Sequence, residues 1–180
     1  PIPGVYIDDP GDPEIYALLL AKNFNGYSDI CRIITSRKLK DDFSLAALLQ
    51  TYYPHLFIIT PSVKLLGQIP NRKNIFAELI STPAKKRGTR KLYEFARAKN
   101  IQLAASNPVY FLEREDFVLH KVVSAVRNRT TMGRLKASET VDEEFYFKDP
   151  ESERRKWGKL PEVLKNIDFI EENCNVDLQL

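Results

Sequence analysis

Apolar positions along the chain recur with two different spacings, and the two alternate. Five short runs, Ile2 to Ile7, Ile15 to Ala21, Leu56 to Thr60, Ile75 to Ile80 and Ile101 to Ala105, are dense in apolar residues over the length of a strand. Runs of this kind predict strands covered on both faces, because no regular polar alternation marks a solvent side. Elsewhere the spacing is helical. Tyr27, Ile30, Cys31 and Ile34, then Leu45, Leu48, Leu49 and Tyr52, then Leu119, Val122, Val123 and Val126 each repeat at i, i+3, i+4, i+7, so each set should turn one stripe toward a core. Leu92, Phe95 and Ala96 mark a further helix, and Leu164, Ile167 and Ile170 a last one. Pro161 suits the first turn of that last helix, since it lacks the N–H that would go unpaired there, and Pro150 after Asp149 reads as a similar start. Strands alternating with amphipathic helices predict an α/β fold with a mainly parallel sheet beneath helices.

Two connections stand out. Asp8-Asp9-Pro10-Gly11-Asp12-Pro13 is a dense turn signal, and it predicts an antiparallel hairpin ahead of the otherwise parallel strands. The acidic residues here, Asp8, Asp9, Asp12 and Glu14, lack the spacing of a calcium loop and are explained by Asp caps and Asx-turns. From Arg127 to Glu144 the apolar rhythm lapses into Thr, Gly, Lys and Ser, which predicts a surface connection followed by a C-terminal helical appendage.

Composition narrows the chemistry. A length of 180 residues with 43% hydrophobic and 28% charged side chains fits a single core. The longest apolar runs, Ala17 to Ala21 and Leu56 to Ile59, fall far short of the roughly 20 residues that span a bilayer. With no signal-like segment at the start, the expectation is a soluble, cytoplasmic protein without membrane contact. Cys31 and Cys174 form no CxxC pair, and both are expected as buried reduced thiols. Only two histidines, His55 and His120, are present, which excludes a self-contained histidine-built metal cluster. His55 reads as a turn residue at a strand entrance and His120 as a packed, hydrogen-bonded imidazole. G-x-S-x-G, H-E-x-x-H, Walker A and G-x-G-x-x-G patterns are all missing from the sequence. The net charge of +3 decides little. Two basic clusters are candidate contacts for nucleic acid or plain solvated faces: Lys85, Lys86, Arg87, Arg90 and Lys91 at a helix start, and Arg154, Arg155, Lys156 and Lys159 around Trp157. Trp157 itself reads as a core or interdomain anchor.

An ordered series of segments carries a resemblance. Lys91-Leu92-Tyr93-Glu94-Phe95-Ala96, Ile101 to Leu112, Glu115-Asp116, Leu119-His120-Lys121-Val122-Val123, Phe145-Tyr146-Phe147-Lys148, Leu160-Pro161-Glu162-Val163-Leu164 and Glu172-Asn173-Cys174-Asn175-Val176 follow one another as in the second half of a PHP (polymerase and histidinol phosphatase) domain of bacterial DNA polymerase III alpha subunits. Upstream, Leu18 to Asn23, Gly26-Tyr27 and Cys31 to Ile34 are similar to the segment after that family's third strand. The resemblance implies a distorted, incomplete (β/α)7 barrel, with residues 1–128 as its barrel portion and 129–180 as the connection and C-terminal helical segment of the same domain. In active members of the family, metal ions at the strand ends hydrolyse phosphoesters. Matched to that pattern, the ligand positions fall on Tyr6, Ser62, Thr82, Pro108 and Tyr110. Proline offers no donor and tyrosine is a poor ligand for zinc or manganese, so no metal or other cofactor is expected. Tyr6 and Tyr110 would fill the space instead.

The leading expectation is therefore a noncatalytic, metal-free scaffold in DNA replication, whose partner is the polymerase region of a longer parent chain. That parent resembles a DNA-directed DNA polymerase, a nucleotidyltransferase. Two alternatives stand beside it: a metal-dependent phosphoesterase or proofreading nuclease completed by upstream residues, and a nucleic-acid contact module acting through the Lys85 to Lys91 cluster. A barrel lacking its opening strands would leave unpaired edges, which suggests a homo-oligomer formed by edge pairing.

Overall fold

The structure is a computed structural model, and it describes residues 4–70 and 72–177. A five-stranded sheet forms its centre, in the order β1 (Gly4–Asp9), β2 (Asp12–Ala21), β3 (Leu56–Thr60), β4 (Ile75–Ile80) and β5 (Gln102–Ser106). The start expected at Ile2 lies outside the described residues. β1 and β2 form the antiparallel hairpin that the Asp/Pro/Gly turn predicts, in register Tyr6↔Leu18 and Asp8↔Tyr16. The β2 and β3 pair is also antiparallel, while β3/β4 and β4/β5 are parallel. Four strands thus run one way and β2 runs against them, so the sheet is mixed by pairing where a mainly parallel one was expected. It does not close: β1 and β5 are both ends of the strand order.

The turn acids act as the turn reading requires. Asp9 Oδ1 accepts from Gly11 N at 3.0 Å, and its Oδ2 accepts from Leu45 N at 2.7 Å, which ties the hairpin to α2 (Leu45–Leu48). Asp12 Oδ1 accepts from Glu14 N, and its other oxygen pairs with Lys64.

One face of the sheet carries the main core. Ile7, Ile15, Ala17, Leu19, Ile58, Ala77, Leu79 and Leu103 pack there with buried residues of α1 (Phe24–Leu39), α2, α3 (Val63–Gln68) and α4 (Lys86–Ala98). The alternate residues Phe57, Ile59, Phe76 and Ala104 form a second cluster with Ile170 and Cys174 of the C-terminal region. The Phe57 ring meets Phe76 and Phe169 edge-on at 5.7 and 5.6 Å, a favoured aromatic geometry. β3 and β4 are buried throughout, as a strand covered on both faces must be. β1 is not: Gly4, Tyr6 and Asp8 are exposed, because nothing among the described residues covers that flank.

Helix α7 (Pro161–Asn173) begins at the proline the sequence marks, and α6 (Pro150–Lys156) begins likewise, with Asp149 accepting from Ser152 N at 2.8 Å. The C-terminal helix α7 runs along the β5 edge, where Asn166 Nδ2 donates to Leu103 O at 2.8 Å. Val163 is fully buried, and Trp157 joins the main core as an anchor.

Three stripe expectations need correction. In α1 Ile30 is buried and Tyr27 and Ile34 pack against the core as the stripe predicts, but Cys31 is exposed and Ile33 is buried in its place. Cys174 is buried, and burial pushes its thiol up to about 11, which keeps it protonated and inert. α2 stops at Leu48, so Tyr52 lies beyond the helix and is exposed. The largest departure is α5 (Phe117–Arg127). Its inward residues are Ser124 and Ala125, while Leu119, Val122, Val123 and Val126 all face outward. Periodicity finds an apolar face but cannot say whether a partner covers it.

Candidate functional site at the strand ends

Because β1, β3, β4 and β5 run the same way, their carboxyl ends gather at one end of the sheet, the usual place for ligand sites in α/β sheets. The central residue there is Glu78. It lies midway along β4 in an otherwise apolar strand and is only 1% exposed. Its Oε1 accepts two hydroxyl protons, from Tyr6 at 2.8 Å and from Ser106 at 2.6 Å, while Oε2 has no protein partner. Burial raises the Glu78 pKa, against the opposing pull of the Ser106 and Tyr6 hydrogen bonds and of Lys85. Burial, reinforced by Glu78, also holds the Tyr6 hydroxyl well above the ordinary phenol range, so it stays a donor.

The pH dependence follows from this shift. A carboxyl whose pKa is raised by folding contributes stability below the ordinary glutamate range, and that contribution is lost as pH rises through the shifted value. Urea midpoints are therefore expected to fall from about pH 4 toward neutrality. Glu78→Gln keeps an acceptor for both hydroxyls and should flatten that fall. An unchanged slope in Glu78→Gln would show that other groups set it.

Around Glu78 the structure places two adjoining clefts. One, of about 590 Å³, is walled by Tyr6, Tyr16, Lys85, Pro108, Tyr110 and Phe145 among others. The second, of about 460 Å³, shares Tyr16, Ile80 and Lys85 and reaches Glu78 and Lys91. One wall of the first cleft is a strap: Tyr110 N donates to Phe145 O, Phe147 N to Phe111 O, and Asn107 Nδ2 to Tyr146 O. His120 sits behind this wall, packed against Tyr110, Phe111 and Phe117 and accepting from Val141 N at 3.4 Å. It is the packed imidazole that its position predicts. His55 serves a turn, its Nδ1 lying 3.1 Å from Asn23 Nδ2 and its carbonyl accepting from Lys22 N.

The five positions singled out in the sequence are brought to this end, though not to one point. Tyr6, Pro108 and Tyr110 line the same cleft, where Tyr6 turns to Tyr16 and Tyr110 stacks with Phe145. Ser62 and Thr82 lie just past β3 and β4 with their hydroxyls committed. Ser62 caps α3 by accepting from Leu65 N, and Thr82 donates to Asp142 Oδ2 at 2.6 Å. Among the described residues no three His, Cys, Asp or Glu side chains converge on one point.

Of the basic residues, Lys85 enters the clefts, with its ammonium 5.8 Å from the centre of the Phe145 ring. Lys91 lines the second cleft, and Arg90 pairs with Glu94 four residues on. Lys86 and Arg87 are exposed on the first turn of α4. The cluster around Trp157 is mostly paired within its own surface, Arg154 with Asp168 at 2.7 Å and Lys156 with Glu153 at 3.3 Å.

Sequence reading missed Glu78 and Asp142 as site residues. The signal for Glu78 was present: a lone carboxylate in a strand otherwise read as buried must be paired or neutral. Asp142 gave none, because its pairing with Thr82 joins residues 60 positions apart.

No established family profile matches the chain. Individual relatives do. Over 193 aligned residues the chain is 25% identical to the DNA polymerase III subunit alpha of Thermus aquaticus, covering 90% of the chain and 16% of that protein. It is 31% identical over 81 residues to the subunit of Pseudomonas aeruginosa, covering 45% of the chain and 7% of the relative. For Escherichia coli K12 the figures are 28% over 107 residues, with 58% and 9% covered. No helix among the described residues is long and apolar enough to cross a membrane. The chain is thus related in sequence to a limited stretch of DNA polymerase III alpha subunits, and it spans 16% or less of the length of these relatives.

Proposed function

We propose that this chain is a noncatalytic structural segment of a DNA polymerase III alpha-like replication protein, a degenerate PHP-type unit whose strand ends hold no metal. The observation that carries this reading is the state of Glu78. At a catalytic metal centre a buried carboxylate is compensated by cations. Here two hydroxyl protons fill that role, from Tyr6 and Ser106. The surrounding ring of Tyr16, Pro108, Tyr110 and Phe145 is poor in ligands for hard or borderline cations. Ser62 and Thr82 support the reading further, since both hydroxyls serve helix and strap contacts. The segment then acts by shape, presenting a sheet and its helices to the polymerase region of a longer chain.

The test is metal uptake. Titrating the chain with zinc and with manganese, followed by calorimetry and by anomalous scattering from soaked crystals, should give no stoichiometric site at the strand ends. Phosphoesterase turnover should be absent with or without chelator. Ordered ions bound at Ser62, Thr82 and Tyr110, or chelator-sensitive hydrolysis lost in Tyr110→Ala, would replace this reading with that of a metal-dependent phosphoesterase or nuclease.

A further inference from the structure

The outward stripe of α5 is an apolar face that nothing among the described residues covers. Leu119 is 63% exposed, Val123 50% and Val126 73%, with Val118 and Val122 on the same side. Five adjacent apolar side chains on one helix face exceed what scattered exposure on a monomer accounts for. The inner face of α5 is already seated through Ser124 and Ala125, so rotation of the helix cannot bury the stripe.

The charges at its two ends say what fits it. One turn before Leu119 stands exposed Glu115, and three residues after Val126 stands exposed Arg129. Glu115 lies in the 3₁₀ turn that leads into α5 and Arg129 just past its capping residue Asn128, so the two bracket about 16 Å of helix, and Val122 lies midway between them in sequence. Neighbouring charges at the acidic end are already used: Arg114 pairs with Glu143 and Glu144, and Asp116 accepts from Glu113 N. A face with acid at one end, base at the other and an apolar centre is complementary to itself when reversed.

We propose that α5 is a homodimer interface, in which two copies of this chain pair their helices antiparallel about a two-fold axis at Val122. Val118 then meets Val126 of the second copy, and Glu115 meets its Arg129, twice by symmetry. Such an interface is isologous, the commonest kind among homo-oligomers. A single helix face is small beside the roughly 800 Å² per partner of a standard stable interface. The association therefore belongs to the weak class, seen at tens to hundreds of micromolar. It is independent of the strand-end reading and uses a different surface from the β1 edge.

Sedimentation equilibrium over that concentration range should show a reversible monomer–dimer step. Val122→Asp places like charges face to face on the axis and should weaken association at least about tenfold, while circular dichroism confirms the fold. Glu115→Arg and Arg129→Glu should each weaken it by about threefold or more, and the double variant should restore it. That rescue distinguishes pairing of these two residues from a loss of folding. A wild-type chain that stays monomeric at several hundred micromolar would overturn the proposal and leave the stripe to a different partner. A dimer indifferent to Val122→Asp would overturn it in favour of the β1 edge.

Discussion

Replacing Gly26 with valine is expected to leave little folded protein at 37 °C, and Gly26→Ala alone should cost about 3 kcal/mol. A Cβ at this position would stand 2.1 Å from the carbonyl oxygen of His55 and 3.3 Å from the Cα of Ala21. Both neighbours are backbone, so no side chain can swing aside. The contact exists because β2 must turn into α1 while β3 enters alongside. Lys22 N donates to that same His55 carbonyl at 3.0 Å, and Asn23 caps α1 by accepting from Gly26 N at 3.1 Å. Any relief of the clash has to break one of these. Urea melts of Gly26→Ala and of Gly67→Ala, where a Cβ meets nothing within 4 Å, give the contrast. Equal midpoints would mean that this junction yields more easily than its geometry allows.

Phe57→Ala is expected to cost about 4 kcal/mol, near the upper part of the range for large-to-small core substitutions. Phe57 is fully buried in the middle strand and touches both Phe76 and Phe169. The cavity would open between a sheet and a helix that are held apart by other contacts. Asn166 remains bonded to Leu103, and Asn175 N to Lys22 O at 3.0 Å, so α7 cannot settle into the gap. Phe57→Leu, which keeps most of the volume, should cost less than half as much. The two free energies from denaturant melts check this, and a Phe57→Ala loss below about 1.5 kcal/mol would show that α7 collapses freely.

β3 and β4 were legible because each is a nearly continuous apolar run bounded by turn residues. Leu56 to Thr60 and Ile75 to Ile80 appear with the expected ends. The hairpin was legible from local turn chemistry, and the starts of α6 and α7 from their prolines. What the sequence could not supply was the environment of each face. Leu119 and Val126 carry the same periodicity as Leu92 and Ala96, yet the first pair faces solvent and the second is buried. The direction of β2 relative to β3 was equally hidden, since α1 and α2 lie between them and a connection of that length permits either sense. At the candidate site, Tyr6, Pro108 and Tyr110 line one cleft. The Glu78 network needed the fold, because Tyr6 and Ser106 reach it from 72 and 28 positions away.

The two margins of the sheet differ in kind. Along β5 the helix α7 occupies the margin and takes up the Leu103 carbonyl, whereas β1 is the other end of the ladder among the described residues. While α7 stays docked, the β5 margin is closed to edge-to-edge addition of another strand. Detachment of α7 would bare the β5 margin and open it to strand addition. Release of α7 ahead of the sheet is therefore the step by which heating would expose an aggregating edge.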